Sequence, residues 1–340
     1  EVLGVFIAWF YMAKPFKRLT DQYDSITIPD YLHSHFNATN PSLRIIAASA
    51  LTIFVVIYVS AQIDATGSAF ESFLGWDYYT GAMVGFGSVM VYIFFGGFVA
   101  VAWSDVFQGL LMFFGLAVLP LYAIAYTGSF QSIPAKLQSI DPGLINIWGQ
   151  GDDPILKAAT ILGYACIGLG FMGSPQVFVR FMSIKNVSEI NKGRWVAIAF
   201  TLITDTAAVT IGILGRVIFT ENGQDPIAIL GNGAQNVLPL MVASLLPLVF
   251  SSLYVAVVLA AIMSTIDSLL VVASSAITRD FDQQVLNNQR ANPTAFSRNV
   301  TMVLAIAALA LALLVAELSP TRTIFWFVIF GWSGIAATFC

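Results

Sequence analysis

Apolar residues run through this chain in long blocks rather than in alternation. The blocks fall at about 2–13, 43–70, 79–95, 99–126, 157–179, 195–219, 249–278, 300–317 and 323–340. Charged or turn-forming stretches separate them: KPFKRLTDQYDS after the first block, GWD at 75–77, GG at 96–97, DPG at 141–143, ENGQDP at 221–226 and SPTR at 319–322. Most blocks reach roughly 20 residues, the length at which a helix crosses a hydrocarbon layer roughly 30 Å thick. A soluble core cannot absorb so many in succession, and the pattern predicts an all-α membrane protein with about nine transmembrane helices. No short-period repeat or low-complexity segment interrupts it.

Composition agrees with the pattern. Of 340 residues, 58% are apolar and 10% charged, against roughly 25% charged in ordinary soluble domains. The formal charge of −4 is small and unclustered, so there is no basic patch for nucleic acid, and the lipid bilayer is the first partner. Placing the first long loop inside collects Lys14, Lys17, Arg18, Arg44, Arg180, Lys185, Lys192, Arg194, Arg279, Arg290 and Arg298 on the cytoplasmic face, leaving Lys136, Lys157, Arg216 and Arg322 outside. Three Asn-X-Ser/Thr patterns, at Asn37, Asn186 and Asn299, then lie at or near the cytoplasmic side and read as coincidences. Cys166 and Cys340 fall in apolar blocks and read as small core residues rather than as a disulfide or a thiolate site. The chain opens and closes inside apolar blocks without an initiator Met, so it reads as a fragment, with residues 1–340 forming one partial transmembrane domain.

The polar residues inside the blocks carry the chemistry. In AAIMSTIDSLL, helical spacing aligns Ala261, Ser264, Thr265 and Ser268 on one stripe, with Asp267 beside Ser264 and Ser268. Hydroxyls alone can be satisfied by the carbonyl one turn back. A carboxylate in mid-span costs roughly 3 kcal/mol or more, and such groups face a bundle interior or an ion path. Asp105 lies about 12 Å in from the turn at Gly97, and Asp267 about 18 Å in from Arg279, both from the cytoplasmic side. Two carboxylates and several hydroxyls without His or Cys suit a hard cation rather than zinc or copper; the alternative is a structural polar seam.

Two further features remain open on the residues alone. Asp205 is also mid-span: either a proton or substrate partner, or a neutral acid bonded to Thr204 or Thr206. The run GYACIGLGFMGSPQVFVR holds Gly163, Gly168, Gly170, Gly173 and Pro175, which predicts either a helix unwound at a cavity or a small-residue packing seam. Phe171 and Trp332 are aromatic candidates for lining such a cavity.

These stretches resemble the sodium:solute symporter family, and its sodium/proline branch in particular. SITIPDYLHSHF, GGFVAVAWSDVFQGLLM, GFMGSPQVFVRFMS and AAIMSTIDSLLVVASSAITRDF carry the likeness, which runs along essentially the whole chain. The resemblance implies a LeuT-type bundle of ten core helices in two inverted repeats, working by sodium-coupled alternating access. The chain would then begin within the second core helix and end within the tenth, the first core helix being missing. By the same resemblance, sodium is held by the Ala261 carbonyl with the Ser264 and Thr265 hydroxyls, and a further sodium site maps to Asp105, Ser264, Asp267 and Ser268. The substrate positions depart from the pattern: Ile167 and Phe171 stand where sodium/proline relatives carry Trp and Tyr, although Pro175 matches.

The expected function is therefore a sodium-coupled symporter importing a small solute, proline or a related amino acid first, in a bacterial inner membrane. The alternatives are a solute such as a vitamin, sugar or sialic acid, or a symporter-like sensor domain of a histidine kinase. An enzyme is not expected, because His33 and His35 share a cytoplasmic loop without a nucleophile constellation.

Overall fold

The computed structural model describes residues 1–148 and 153–339, without the side chains of residues 95 and 96; Cys340 lies outside the described residues. Among these residues the chain is helical and loop, without strands. Helices α1 (Val2–Ile7) and α2 (Ala13–Gln22) are joined by a π-helical turn at Ala8–Met12, and a short α3 (Ile28–His35) leads into the long α4 (Ser42–Leu74). Then follow α5 (Tyr78–Thr127), α6 (Ser132–Ile140), α7 (Pro154–Leu169), α8 (Pro175–Ser183) and α9 (Val187–Phe219). The short α10 (Pro226–Leu230) and α11 (Val237–Leu245) precede α12 (Leu248–Ser275), α13 (Pro293–Leu318) and α14 (Ile324–Phe339).

Among the described residues, six stretches are long and apolar enough to cross a membrane: Ser42–Leu74, Gly97–Thr127, Pro154–Ser183, Val187–Phe219, Leu248–Val285 and Pro293–Leu318. Tyr78–Phe94 and Ile324–Phe339 are apolar but shorter. The first apolar block falls on α1, the π turn and the start of α2.

Helix starts follow local chemistry. The Asp153 carboxylate accepts from the Ile155 and Leu156 amides with Pro154 next in line, and Asn292 caps α13 ahead of Pro293. Asn186 uses its side chain to accept from the Glu189 amide at the start of α9, a structural job for one of the three glycosylation-like asparagines.

Two breaks shape the interior. Gly97 sits at φ 57°, ψ −158°, where a side chain is not tolerated, and divides α5 into two arms. Between α7 and α8 the chain passes through a 3₁₀ turn at Gly170–Gly173 and an extended Ser174, as the residue before Pro175 must be. The glycine run thus breaks the helix, and within it Gly168 and Gly170 also pack closely, against Glu1 and Trp332.

The scaffold is built around α4, which packs on α5, α12, α13 and α14. Leu51, Val55, Val59 and Ile63 recur every fourth residue along its buried face, meeting Ile262, Ile266, Leu269 and Ala273 of α12 and Ala305, Ala308 and Ala312 of α13. A Cβ at Gly331 would lie 2.8 Å from the Tyr58 amide nitrogen, so glycine there lets α14 close on α4. A second cluster joins α5, α9 and α11 through Leu119, Leu214 and Met241.

One expectation is corrected. Cys166 is exposed rather than a core residue, because α7 buries none of its sixteen residues. Between the apolar blocks, residues 220–248 hold two short helices: Asp225 caps α10 ahead of Pro226, and Val237, Met241, Val242 and Leu245 of α11 bury against α9 and α5. Both helices are too short to register as an apolar block of spanning length.

Candidate ion and solute site

The polar stripe of α12 forms as its spacing requires. Ser264 Oγ donates to the Ala261 carbonyl at 3.0 Å and Thr265 Oγ1 donates to the same oxygen at 3.2 Å. Three oxygens are therefore gathered at one point, and both hydroxyls keep lone pairs for a cation. All three residues are half-buried, while Ile266 and Asp267 just beyond them are buried.

Asp267 is fully buried and ties α12 to both arms of α5. Its Oδ2 accepts from Tyr92 Oη at 2.9 Å, on the first arm, and from Ser104 Oγ at 3.4 Å, on the second. The carboxylate thus bridges the break at Gly97. Ser268 Oγ stands 3.2 Å from Asp267 Oδ1 and 3.4 Å from Asp105 Oδ2, and its one hydrogen serves one of them at a time.

Asp105 comes with a partner that spacing along the chain could not reveal. Arg180, on α8, makes an ion pair through Nη2 with Asp105 Oδ2 and donates to Ser268 Oγ at 2.8 Å. The Arg180 side chain is 45% exposed, whereas that of Asp105 is 18% exposed. Asp105 Oδ1 is buried without a partner, as are Oε1 of Gln108 and of Gln176. A cavity of about 40 Å³ lies against Asp105, Gln176, Arg180 and Ser268, room for about one water-sized particle. Asp105, Asp267 and Ser268 are brought together as expected. The missed members are Arg180, Tyr92, Ser104 and Gln108.

Two more polar atoms are orphaned at or beside the helix break. Ser174 Oγ and Trp332 Nε1 are both buried without hydrogen-bond partners. A Cβ on Gly170 would fall 2.9 Å from Trp332 Nε1, so the missing side chain leaves the indole its place against the broken helix. Tyr58 of α4 meets the Trp332 ring edge-on at 6.1 Å between centroids. Ile167 and Phe171 are half-buried on the α7 side of the break, and Pro175 is buried at the start of α8. Tyr58 went unnoticed in the sequence because an isolated Tyr in an apolar helix has no periodic signature.

Other buried charges belong elsewhere. Asp64 of α4 is ion-paired with Arg322 and accepts from Tyr78 Oη at 2.6 Å, near the opposite end of the bundle. Asp280 is held by Arg44 Nη1 at 2.8 Å and by Thr27 Oγ1 at 2.8 Å, and Arg44 also reaches Asp30 at 2.7 Å. Thr204 turns its hydroxyl to the Phe200 and Thr201 carbonyls rather than to Asp205. Among the described residues no three His, Cys, Asp or Glu side chains converge as a metal cluster. The donors gathered in the interior are hydroxyls, carbonyls and single carboxylates, the set suited to a hard monovalent cation.

The sequence profile of the sodium:solute symporter family matches residues 1–340. The chain is 31% identical to the high-affinity proline transporter PutP of Bacillus subtilis (strain 168), an alignment covering 99% of this chain and 69% of that protein. It is 30% identical to the osmoregulated proline transporter OpuE of the same organism and 29% identical to the sodium/proline symporter of Salmonella typhimurium, covering 99% of this chain and 66% of each relative. The chain thus spans about two thirds of the length of these relatives. A solved structure of a Na⁺-coupled sialic acid symporter, substrate-bound and outward-open, superposes with a TM-score of 0.75 over 99% of this chain and 82% of that one. At 16% identity this likeness is one of fold, the LeuT-type helical bundle. With its membrane-spanning helices, its fold and a profile match along its whole length, the chain is a multi-pass membrane protein that belongs to the sodium:solute symporter family.

Proposed function

We propose that residues 1–340 act as one transporter unit of a sodium-coupled symporter in a bacterial inner membrane, importing a small organic solute, proline or a related amino acid first, by alternating access. The observation that carries this reading is the convergence of Ser264 and Thr265 on the Ala261 carbonyl beside a buried carboxylate. Three neutral oxygens bind sodium without stranding a charge when the ion leaves, while Asp267 supplies a negative potential in a low-dielectric setting. Proline transporters among the relatives support the solute class.

Asp105, Asp267 and Ser268 form a further cation position in this reading, and Arg180 is the charge that now fills it. A sodium ion takes Asp105 Oδ2 and Ser268 Oγ only as the guanidinium withdraws. Because Arg180 rides on α8, just past the helix break, its withdrawal frees α8 from α5 and α12 on the cytoplasmic side. Sodium and Arg180 are thus alternative counter-ions, each favouring a different arrangement of the broken helix.

Trp332 Nε1 and Ser174 Oγ, both buried without partners, are the groups that suit a solute carboxylate at the break, with Ile167, Phe171 and Pro175 around its apolar part. Each sodium ion moving inward down a membrane potential contributes about 2.3 kcal/mol per 100 mV to concentrating the solute. Uptake of labelled proline into vesicles with and without an inward sodium gradient tests the reading. Sodium-dependent accumulation is expected; accumulation indifferent to sodium refutes the coupling, and sodium-driven entry of another solute alone refutes the proline assignment.

A further inference from the structure

Outside the proposed ion and solute positions, a cavity of about 470 Å³ opens where three membrane-spanning segments end on the same side. It is walled by the break in α5 at Gly97, by the last turns of α12 and its π-helical continuation (Ala276–Val285), and by the first turns of α13. This is the cytoplasmic side by the distribution of Lys and Arg, so the cavity sits where headgroups meet hydrocarbon.

Its lining divides in two. Ile26, Met90, Ile93, Phe94, Phe98, Val271 and Met302 make one wall apolar, whereas Arg279 and Arg298 bring two guanidinium groups and none of the described lining residues is acidic. Arg298 lies over the Phe94 ring, 5.8 Å from its centroid, on the boundary between the walls. Arg279 is held by Gln283 Oε1 at 3.3 Å and stands 3.7 Å from Asp30 Oδ2, a carboxylate already engaged by Arg44 at 2.7 Å. The Arg279 Nε is buried without a hydrogen-bond partner.

Four of the hydroxyls around the cavity are already spent on backbone carbonyls. Ser274 and Ser275 donate to the Val271 carbonyl, Thr278 to the Ser274 carbonyl and Thr301 to the Ser297 carbonyl. Positive charge at this site therefore comes from the two arginines, and the ligand that complements it is an anion with an apolar extension. Val91, Phe94, Phe98 and Val99 stand exposed along α5 beside the opening, a surface for acyl chains. A volume of this size lies within the roughly 300–1,000 Å³ of small-molecule sites.

We propose that this cavity binds the phosphate-bearing headgroup of an anionic phospholipid of the inner leaflet, with its phosphodiester between Arg279 and Arg298 and its acyl chains along the exposed face of α5. The inference stands on the cavity and its charges and is independent of the transported solute. Basic pockets between helices on the cytoplasmic side suit such headgroups. Occupancy would wedge α13 against the inner end of α12 and the α5 break.

The test is lipid retention by the protein expressed from its whole gene, measured by native mass spectrometry in detergent with phosphatidylglycerol or phosphatidylcholine of matched chains. Wild type is expected to prefer phosphatidylglycerol about 30-fold, which is about 2 kcal/mol, from about 1 kcal/mol per arginine. R298Q is expected to cut that preference to about fivefold, R298K to restore it, and S274A to leave it intact. Because Arg279 also neighbours Asp30, R279Q is scored only against a melting temperature matching wild type, and R298Q decides alone if it does not. Equal retention of the two lipids, an unchanged preference in R298Q, or displacement of the lipid by millimolar inorganic phosphate overturns the proposal, the last by making the cavity a site for soluble anions.

Discussion

Two carboxylate clusters, one at the inner end of α12 and one at its middle, meet arginine in different ways. Asp280, in the π-helical end of α12, is fully buried and locked by Arg44, whose side chain is 5% exposed and is shared with Asp30. Asp105, deeper in the bundle and linked to Asp267 through Ser268, pairs with Arg180, which is 45% exposed and belongs to the half-helix beyond the break. The first arrangement joins α3, α4 and the inner end of α12, with Arg44, Asp30 and Asp280 all enclosed. The second joins the scaffold to a segment that the backbone has already cut loose. A buried ion pair adds little net stability when complete but is costly to halve, so the first cluster suits a fixed fastening. The second, open to water at its cation, suits a fastening that can be exchanged.

The largest effect should come from breaking the fixed cluster. R44Q leaves Asp280 buried without its cation, and Asp30 with Arg279 at 3.7 Å, and is expected to cost about 3–5 kcal/mol, read as a sharp fall in the thermal midpoint in detergent and in folded yield. Retention of the wild-type midpoint would mean that the cluster is not closed in the working protein.

Next come the neutral oxygens. Combined S264A and T265A should raise the sodium concentration for half-maximal uptake on the order of 100-fold, since an interaction with a charged group is worth about 1.5–3 kcal/mol, with the thermal midpoint nearly unmoved. W332F removes the unpartnered indole donor and should raise the KM for proline about tenfold, leaving sodium activation as it was. A parallel change in sodium activation would instead make Trp332 a packing residue between α14 and the broken helix.

The smallest effect distinguishes the two clusters most finely. R180Q removes the competing cation while leaving Asp105 and Ser268 in place, so half-saturating sodium should fall about threefold, opposite in sign to S264A. A rise would mean that Arg180 only supports the fold, as Arg44 does.

Much of this was legible in the sequence. Apolar blocks of spanning length located the long helices, and the density of glycine before Pro175 located the break, because both are local properties of the chain. The stripe of Ala261, Ser264 and Thr265 followed from helical spacing alone. The ion pairs did not, since Arg180 lies 75 residues from Asp105 and Arg322 lies 258 from Asp64, separations that carry no periodicity. Both arginines read as ordinary loop charges, one counted inside and one outside. Tyr92 and Ser104 were hidden for a related reason: they matter only because the bend at Gly97 brings both arms of α5 to one carboxylate.

The most direct test of sodium at the α12 stripe is the sodium dependence of labelled proline uptake in vesicles, wild type beside S264A. The expected result is uptake that requires an inward sodium gradient and, in S264A, a sodium curve shifted to much higher concentration at unchanged maximal rate. Sodium-independent uptake in wild type, or an identical sodium curve in S264A, would contradict the assignment of the ion to Ala261, Ser264 and Thr265.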